Sequence, residues 1–389
     1  GAAYPSALAP ALAKRYPRRV DAAGQNRERR LDAVAALGAS LLAVLETFED
    51  TQRQLHPPRI PELRERLRAP GQRLEEALLG FDARLSQASE TDFREFEQRL
   101  TDAGRAGLRA ARLFSEDGPA TEGIARILAA MQQHCLAQEA SFSLRRALPP
   151  FNRFFFEPFA RERLAELDPE NPSASKGAGV GIHHANNGRE SRGGFSLYVP
   201  ESYDGTAWPL VVALHGGSGH GADFLWTWLR EARSRQFLLL APTARGSTWS
   251  FNGPDLDSRA LCSMLDFIGE RWRIDPDRIL LTGLSDGATY SLFCGLQADR
   301  PFTALAPVSG VLHPANFVNG NLERARGQRI YLVHGALDWM FPIESARMAA
   351  EELKGHGADL VFREIEDLSH TYPREQNAQI LDWFLAGSR

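Results

Sequence analysis

A chain of 389 residues and 43.1 kDa exceeds one average domain, and an apolar content of 43% is ample for more than one buried core. The formal charge of −4 and the pI near 6.3 weigh against a nucleic-acid binder, and no segment has the uninterrupted apolar length of a membrane span. Three cysteines, Cys135, Cys262 and Cys294, form an odd set without metal-ligand spacing, so neither a disulfide framework nor a metal site is expected.

The start, Gly1-Ala2-Ala3-Tyr4-Pro5, lacks a basic segment followed by an apolar one. No signal peptide is therefore expected, and the cytoplasm is the expected location, with a processed exported form as the alternative. From about Asn26 to Leu167 the pattern is helical. Leu31, Val34, Leu37, Leu41, Leu42, Leu45 and Phe48 recur at three- and four-residue steps and define one apolar stripe. Similar stripes follow over 63–88, 93–114 and 124–144. Breaks are expected at His56-Pro57-Pro58, Ser89-Glu90-Thr91-Asp92 and Glu116-Asp117-Gly118-Pro119, where prolines, a glycine and capping residues stop or start helices. The expectation is an antiparallel helical bundle, which is also the candidate surface for a homodimer. It closes on the aromatic cluster Phe151, Phe154, Phe155, Phe156 and Phe159, read either as bundle core or as a surface docked on the following domain. Residues 168–181, rich in Pro, Ser, Gly and Ala, read as a linker, giving an N-terminal helical domain over 1–170 and a second domain over 171–389.

The second domain opens with a strand pair over 179–184 and 194–199. His183 and His184 are adjacent on a strand, so they face opposite ways and suggest no metal. The apolar strand Trp208-Pro209-Leu210-Val211-Val212-Ala213-Leu214 runs into His215-Gly216-Gly217-Ser218-Gly219-His220-Gly221. A phosphate-cradling loop would need a Gly-Lys-Ser/Thr ending or a G-x-G-x-x-G pattern, and neither follows. After a strand over 237–241, Trp249 is expected above the carboxyl edge of the sheet, either as an aromatic wall for a ligand or as ordinary packing. His220, like Trp339 further on, is read either as a lining residue of the same cleft or as ordinary packing.

The strand Arg278-Ile279-Leu280-Leu281-Thr282 leads into Gly283-Leu284-Ser285-Asp286-Gly287, and a helix is expected from Ala288 to Leu296. A serine between two glycines at a strand-to-helix junction has the layout of a nucleophile elbow: the turn forces strained backbone angles, and the glycines remove side chains that would clash there. Arg329-Ile330-Tyr331-Leu332-Val333-His334-Gly335 is the next buried strand to be singled out, with Asp338 in the loop after it, either orienting an imidazole or capping the helix whose body is 345–353. The last strand is expected over 358–365, followed by Ser369-His370-Thr371. Nucleophile, acid and histidine thus occur in the order Ser285, Asp338, His370.

With these motifs the chain from about Gly179 to Arg389 resembles the α/β-hydrolase superfamily. Leu197-Tyr198-Val199-Pro200, Leu214-His215-Gly216-Gly217 and Ile274-Asp275-Pro276-Asp277-Arg278-Ile279 leading into Gly283-Leu284-Ser285 look like its phospholipase/carboxylesterase and polyhydroxybutyrate depolymerase/feruloyl-esterase-like members. The resemblance implies an α/β-hydrolase fold with a mainly parallel sheet flanked by helices, preceded here by the all-α bundle. It also implies carboxylic ester hydrolysis without a cofactor, with Ser285 as nucleophile, His370 as base and Asp338 as orienting acid. The His-Gly-Gly loop is similar to the one that supplies half of an oxyanion hole. Gly217 is then the first choice of amide donor and Ser218 the second, with the Asp286 amide as the other donor. An acidic residue after the nucleophile departs from the esterases compared, and its carboxylate is expected to point away or to be paired.

The expected substrate is a small or polymeric ester, with Ser218, His220, Trp249 and Trp339 as candidate contacts. Two alternatives stand beside this reading: a serine peptidase of the same superfamily, and a helical interaction protein on a hydrolase-fold scaffold.

Overall fold

The computed structural model describes residues 22–85, 91–116, 123–170, 179–251 and 253–387. The expected breaks at Ser89-Glu90 and Asp117-Gly118-Pro119, and most of the expected linker, lie outside these residues. Two compact units divide the chain, Gly1–Phe155 and Phe156–Arg389.

The first unit is helical: α1 (Ala22–Arg53), α2 (Ile60–Leu85), α3 (Thr91–Ser115), α4 (Gly123–Leu144) and the short α5 (Pro149–Phe154). The stripe on α1 is buried as expected at Val34, Leu37, Leu41, Leu42, Leu45 and Phe48. Phe48, Leu63, Leu67, Ala110, Phe114 and Ala130 form one core cluster across α1 to α4, with the Phe48 and Phe114 rings edge-to-face at 5.8 Å. The expectation of no membrane-length segment needs correction, because by length and composition Glu28–Arg53 suffices to cross a membrane. Asp32 and Glu46 interrupt the run without lowering its average hydropathy enough. Half of the qualifying stretch is buried within the protein, and its apolar face is the one that builds the bundle core.

The aromatic cluster is split by the boundary. Phe151, Phe154 and Phe155 belong to the first unit, where Phe155 meets Phe142 and Phe154 edge-to-face at 5.1 and 4.9 Å. Phe156 belongs to the second and lies beneath the guanidinium of Arg233, 3.9 Å from its ring centroid. Arg233 is fully buried and donates to Asp168 Oδ2 at 3.0 Å and Glu201 Oε2 at 3.2 Å, with the Tyr198 hydroxyl completing the set on Glu201 at 2.5 Å. A buried guanidinium is stable only with such partners. This is why residues 156–168 pack with the second unit, whereas the sequence boundary at residue 170 assigned them to the helical domain.

The second unit is one eight-stranded sheet in the order β1-β2-β4-β3-β5-β6-β7-β8. Its strands are β1 (Gly181–Ala185), β2 (Phe195–Val199), β3 (Trp208–Leu214), β4 (Leu238–Pro242), β5 (Ile274–Leu284), β6 (Ala304–Val308), β7 (Arg329–Gly335) and β8 (Asp359–Ile365). β2 runs antiparallel to β1 and β4, and every later pairing is parallel. The inner strands β3, β4, β6 and β7 are buried along nearly their whole length, as expected of parallel strands covered on both faces, whereas the edge strand β8 is half-exposed. Helices Gly221–Arg235, Asp286–Gly295 and Ile343–Gly355 pack on the sheet. The carboxyl ends of β3, β5, β7 and β8 consequently converge on one edge, where loops deliver the site.

Candidate active site

Ser285 sits between the end of β5 and the helix Asp286–Gly295, at φ 56° and ψ −119°. A left-handed φ is costly for a residue with a side chain. The turn is held because the Ser285 amide donates to Val308 O at 3.0 Å and neighbours crowd the glycines on either side: a Cβ on Gly283 would stand 2.5 Å from the Gly287 carbonyl carbon, and one on Gly287 2.4 Å from Leu214 O.

The three expected residues meet. Ser285 Oγ lies 3.0 Å from His370 Nε2, and His370 Nδ1 lies 2.8 Å from Asp338 Oδ2. Asp338 Oδ1 accepts the amides of Met340 at 3.0 Å and Phe341 at 2.8 Å, so the carboxylate both caps its own loop and holds the imidazole. Burial pushes the Asp338 carboxyl up, but the hydrogen bonds from His370 and the Phe341 amide, with the histidine charges, outweigh it and hold it below the usual carboxylate range. It is therefore ionised at neutral pH. An ionised acceptor at Nδ1 fixes the proton there and leaves Nε2 free to accept from Ser285.

The acid and histidine loops are stitched to each other. Ala336 and Leu337 amides donate to Ile365 O and Leu368 O, each at 2.9 Å. Tyr372, beyond His370, is buried edge-on to Phe224 at 5.7 Å and Trp228 at 6.4 Å, and its hydroxyl donates to Asn377 Oδ1 at 2.8 Å. Both loops are thereby fixed in the fold.

In the glycine-rich loop, Ser218 is left-handed at φ 58° and its amide is spent on Ser247 O at 2.8 Å. The Gly219 amide is spent on Gly216 O at 3.0 Å. Among the described residues no hydrogen bond uses the Gly217 amide. The amide of Asp286 opens its helix, where N–H groups have no intrahelical acceptor. The Ser218 amide is thus committed to Ser247, whereas those of Gly217 and Asp286 are not committed in this way. The two are close, since a Cβ on Gly217 would lie 2.7 Å from Asp286 Oδ2. The Asp286 carboxylate is paired, as expected, by the hydroxyl of Thr248.

His215 underpins this loop. It is buried, accepts the Ala244 amide on Nε2 at 3.0 Å and donates from Nδ1 to Gly216 O at 2.6 Å. Desolvation drives its pKa down to about 4, the Gly216 bond offsetting part of the effect, so it is neutral and rigidly oriented. Trp249 is 3% exposed, donates to His215 O at 2.8 Å and stacks on Tyr290 at 5.2 Å. Its ring supports the loop from within and presents no wall to a ligand. His220 is also committed elsewhere: it caps the helix Gly221–Arg235 by accepting the Ala222 amide at 3.1 Å, and its Nε2 donates to Ser191 O at 3.1 Å. Trp339, by contrast, is exposed beside Asp338, together with Leu337 and Met340.

Thr248 and Tyr372 escaped the sequence reading. A signal for the first was available, because an acidic residue at an elbow demands a partner. For Tyr372 there was none, since its partners lie on another helix. Among the described residues no group of His, Cys, Asp and Glu could hold a metal.

Residues 260–386 match the family described as Phospholipase/Carboxylesterase, a span that contains Ser285, Asp338 and His370. A curated relative, Acyl-protein thioesterase 1 of Gibberella zeae, is 27% identical over 106 residues, 26% of this chain and 45% of its own length. The chain thus spans less than half of that relative. Among solved structures, a thermostable esterase aligns at 21% identity over 54% of this chain and 63% of its own, with a TM-score of 0.45. Acyl-protein thioesterase 2 of Zea mays aligns at 16% identity over 54% and 99%, with a TM-score of 0.38. The strand order gives the second unit an α/β-hydrolase fold, and over residues 260–386 it is similar to the phospholipase/carboxylesterase family.

Proposed function

We propose that the chain is a serine esterase that hydrolyses carboxylic esters through an acyl-enzyme on Ser285. The observation that carries this reading is the position of His370, hydrogen-bonded to Ser285 Oγ on one side and Asp338 on the other. As Oγ attacks the ester carbonyl carbon, its proton passes to His370 Nε2, and Asp338 stabilises the imidazolium. The tetrahedral oxyanion takes hydrogen bonds from the Gly217 and Asp286 amides, whose charge complements an anion at a helix N-terminus. Collapse expels the alcohol, which leaves with the proton from His370. Water then repeats the sequence on the acyl-enzyme and releases the acid. No cofactor enters any step.

A second reading, cleavage of acyl thioesters by the same steps, is favoured by the match to a relative called a thioesterase. The exposed apolar side chains of Leu337, Trp339 and Met340 offer a contact for an acyl chain in either case. One panel tests the proposal: p-nitrophenyl esters of rising acyl length, the matching thioesters, and a peptide p-nitroanilide, with a fluorophosphonate probe in parallel. Ester or thioester turnover with the probe on Ser285 is expected. Turnover of the amide at a comparable rate would favour the peptidase reading, and absence of both turnover and labelling would leave the scaffold reading.

A further inference from the structure

His334 ends the β7 apolar run and takes no part in the steps above. It is fully buried. Its Nε2 is 2.7 Å from Phe341 O, so that nitrogen carries the proton and donates it, and the same atom is 3.5 Å from Asp338 Oδ2. Its Nδ1 is buried, with no hydrogen-bond partner among the described residues. A second proton on Nδ1 would find no acceptor, and burial already holds this imidazole below its usual pKa despite the Phe341 bond. The titratable groups acting on it are Asp338, His370 and Glu364. One neutral tautomer follows.

Phe341 is the residue that this tautomer holds. Its carbonyl accepts from His334, its amide donates to Asp338 Oδ1 at 2.8 Å, and its ring meets the His370 imidazole edge-on at 5.3 Å and 86°. A single residue therefore touches both the acid and the base, and His334 fastens it from behind. Were His334 charged by a proton on Nδ1, its positive charge, 3.5 Å from Asp338 Oδ2, would compete with that of His370 for the carboxylate.

We infer that His334 is a positioning residue for the hydrolytic site: it fixes Phe341, and through it the Asp338 carboxylate and the His370 ring, while its neutrality reserves Asp338 for His370. The inference rests on the serine-hydrolase reading above. Two substitutions separate it from mere space filling. In His334→Gln the side-chain nitrogen reaches the place of Nε2 and can still donate to Phe341 O, whereas His334→Leu fills volume without a donor.

On p-nitrophenyl acetate we expect His334→Leu to lose about 10- to 100-fold in kcat with KM within about threefold, and His334→Gln to recover to within about threefold of wild type. The proton of His370 Nδ1 on Asp338 should give a far-downfield NMR resonance in the wild type and the Gln variant, absent or shifted in the Leu variant. Equal rates and an unchanged resonance in His334→Leu would overturn the inference, as would equal impairment of both variants. Should the Leu variant not fold, nitrogen-15 spectra of the wild type decide: His334 must stay in its neutral Nε2–H form between about pH 5.5 and 8, where an unperturbed histidine titrates. If the wild type turns over no ester, the serine-hydrolase reading fails, and the spectra still judge the position of His334.

Discussion

Ser285 holds its hydroxyl in place at the cost of a left-handed backbone, and that cost can be measured separately from the chemistry. Ser285→Gly removes both the proposed nucleophile and the strain, so we expect kcat to fall by at least about a thousandfold while stability rises by about 1 kcal/mol. Ser285→Ala should match the loss of activity without the gain, because alanine is strained at the same φ of 56°. Thermal melts of both variants beside ester turnover check this. A Gly variant no more stable than Ala would mean that the elbow is relaxed. Asp338 can be tested by changing one atom. In Asp338→Asn the side-chain amide can no longer hold the proton on His370 Nδ1 and the wrong tautomer faces Ser285, so kcat is expected to fall by about 10⁴-fold in a folded protein. Wild-type turnover would show that the carboxylate serves only to cap its loop through Met340 and Phe341.

Between loops, a tight constraint sits at the end of β7, where Gly335 passes the chain carrying His370 so closely that a Cβ would stand 2.2 Å from Leu368 O. Gly335→Ala must push the β7 and β8 loops apart; we expect a loss of about 2–4 kcal/mol in stability, the range of overpacked or strained core sites. Activity should fall in kcat more than in KM, because the shift separates Asp338 from His370 without touching the substrate side. Unchanged kinetics in the folded variant would show that the two loops are not coupled. Much of this element level was legible in the chain. β7 matches its expected bounds, and β4, β8 and the elbow helix fall within a residue or two of theirs, because apolar runs and glycine punctuation carry local information. What escaped is non-local. β5 begins at Ile274, through Asp275 and Pro276, whose composition does not read as strand, and β6 is a five-residue run containing Pro307 and no motif. The loop sequence placed Trp249 near the sheet edge correctly but could not show that its ring turns inward to His215. It likewise could not show that a positive φ at Ser218 turns that amide to Ser247. The segment 156–168 joins the second unit through Arg233, a partner far along the chain that no window of sequence reveals.

Across the second unit, two buried groups pull stability in opposite directions with pH. His215 has its pKa lowered to about 4, so below 6.5 the unfolded chain takes a proton that the folded one refuses, and stability is lost as pH falls toward 4. Glu231 is the reverse: desolvation and the nearby Glu157 charge raise it to about 7 against Arg235, so its contribution is present below about pH 4.5 and lost as pH rises toward 7. Each displacement is on the order of 3 kcal/mol, so between about pH 4.5 and 6.5 they largely cancel. Glu231→Gln removes one arm, and its melting temperature relative to wild type should climb by several degrees from pH 4.5 to pH 7. A constant difference would mean that Glu231 is ionised throughout. The order of the sheet has its own consequence for how this protein comes into being. From β5 onward each strand is laid against the one before it, so synthesis delivers Ser285, then Asp338, then His370, each after a newly added strand of the sheet. On the serine-hydrolase reading, the base is in place only once the strand before His370 has docked, so ester turnover should report the last step of sheet assembly.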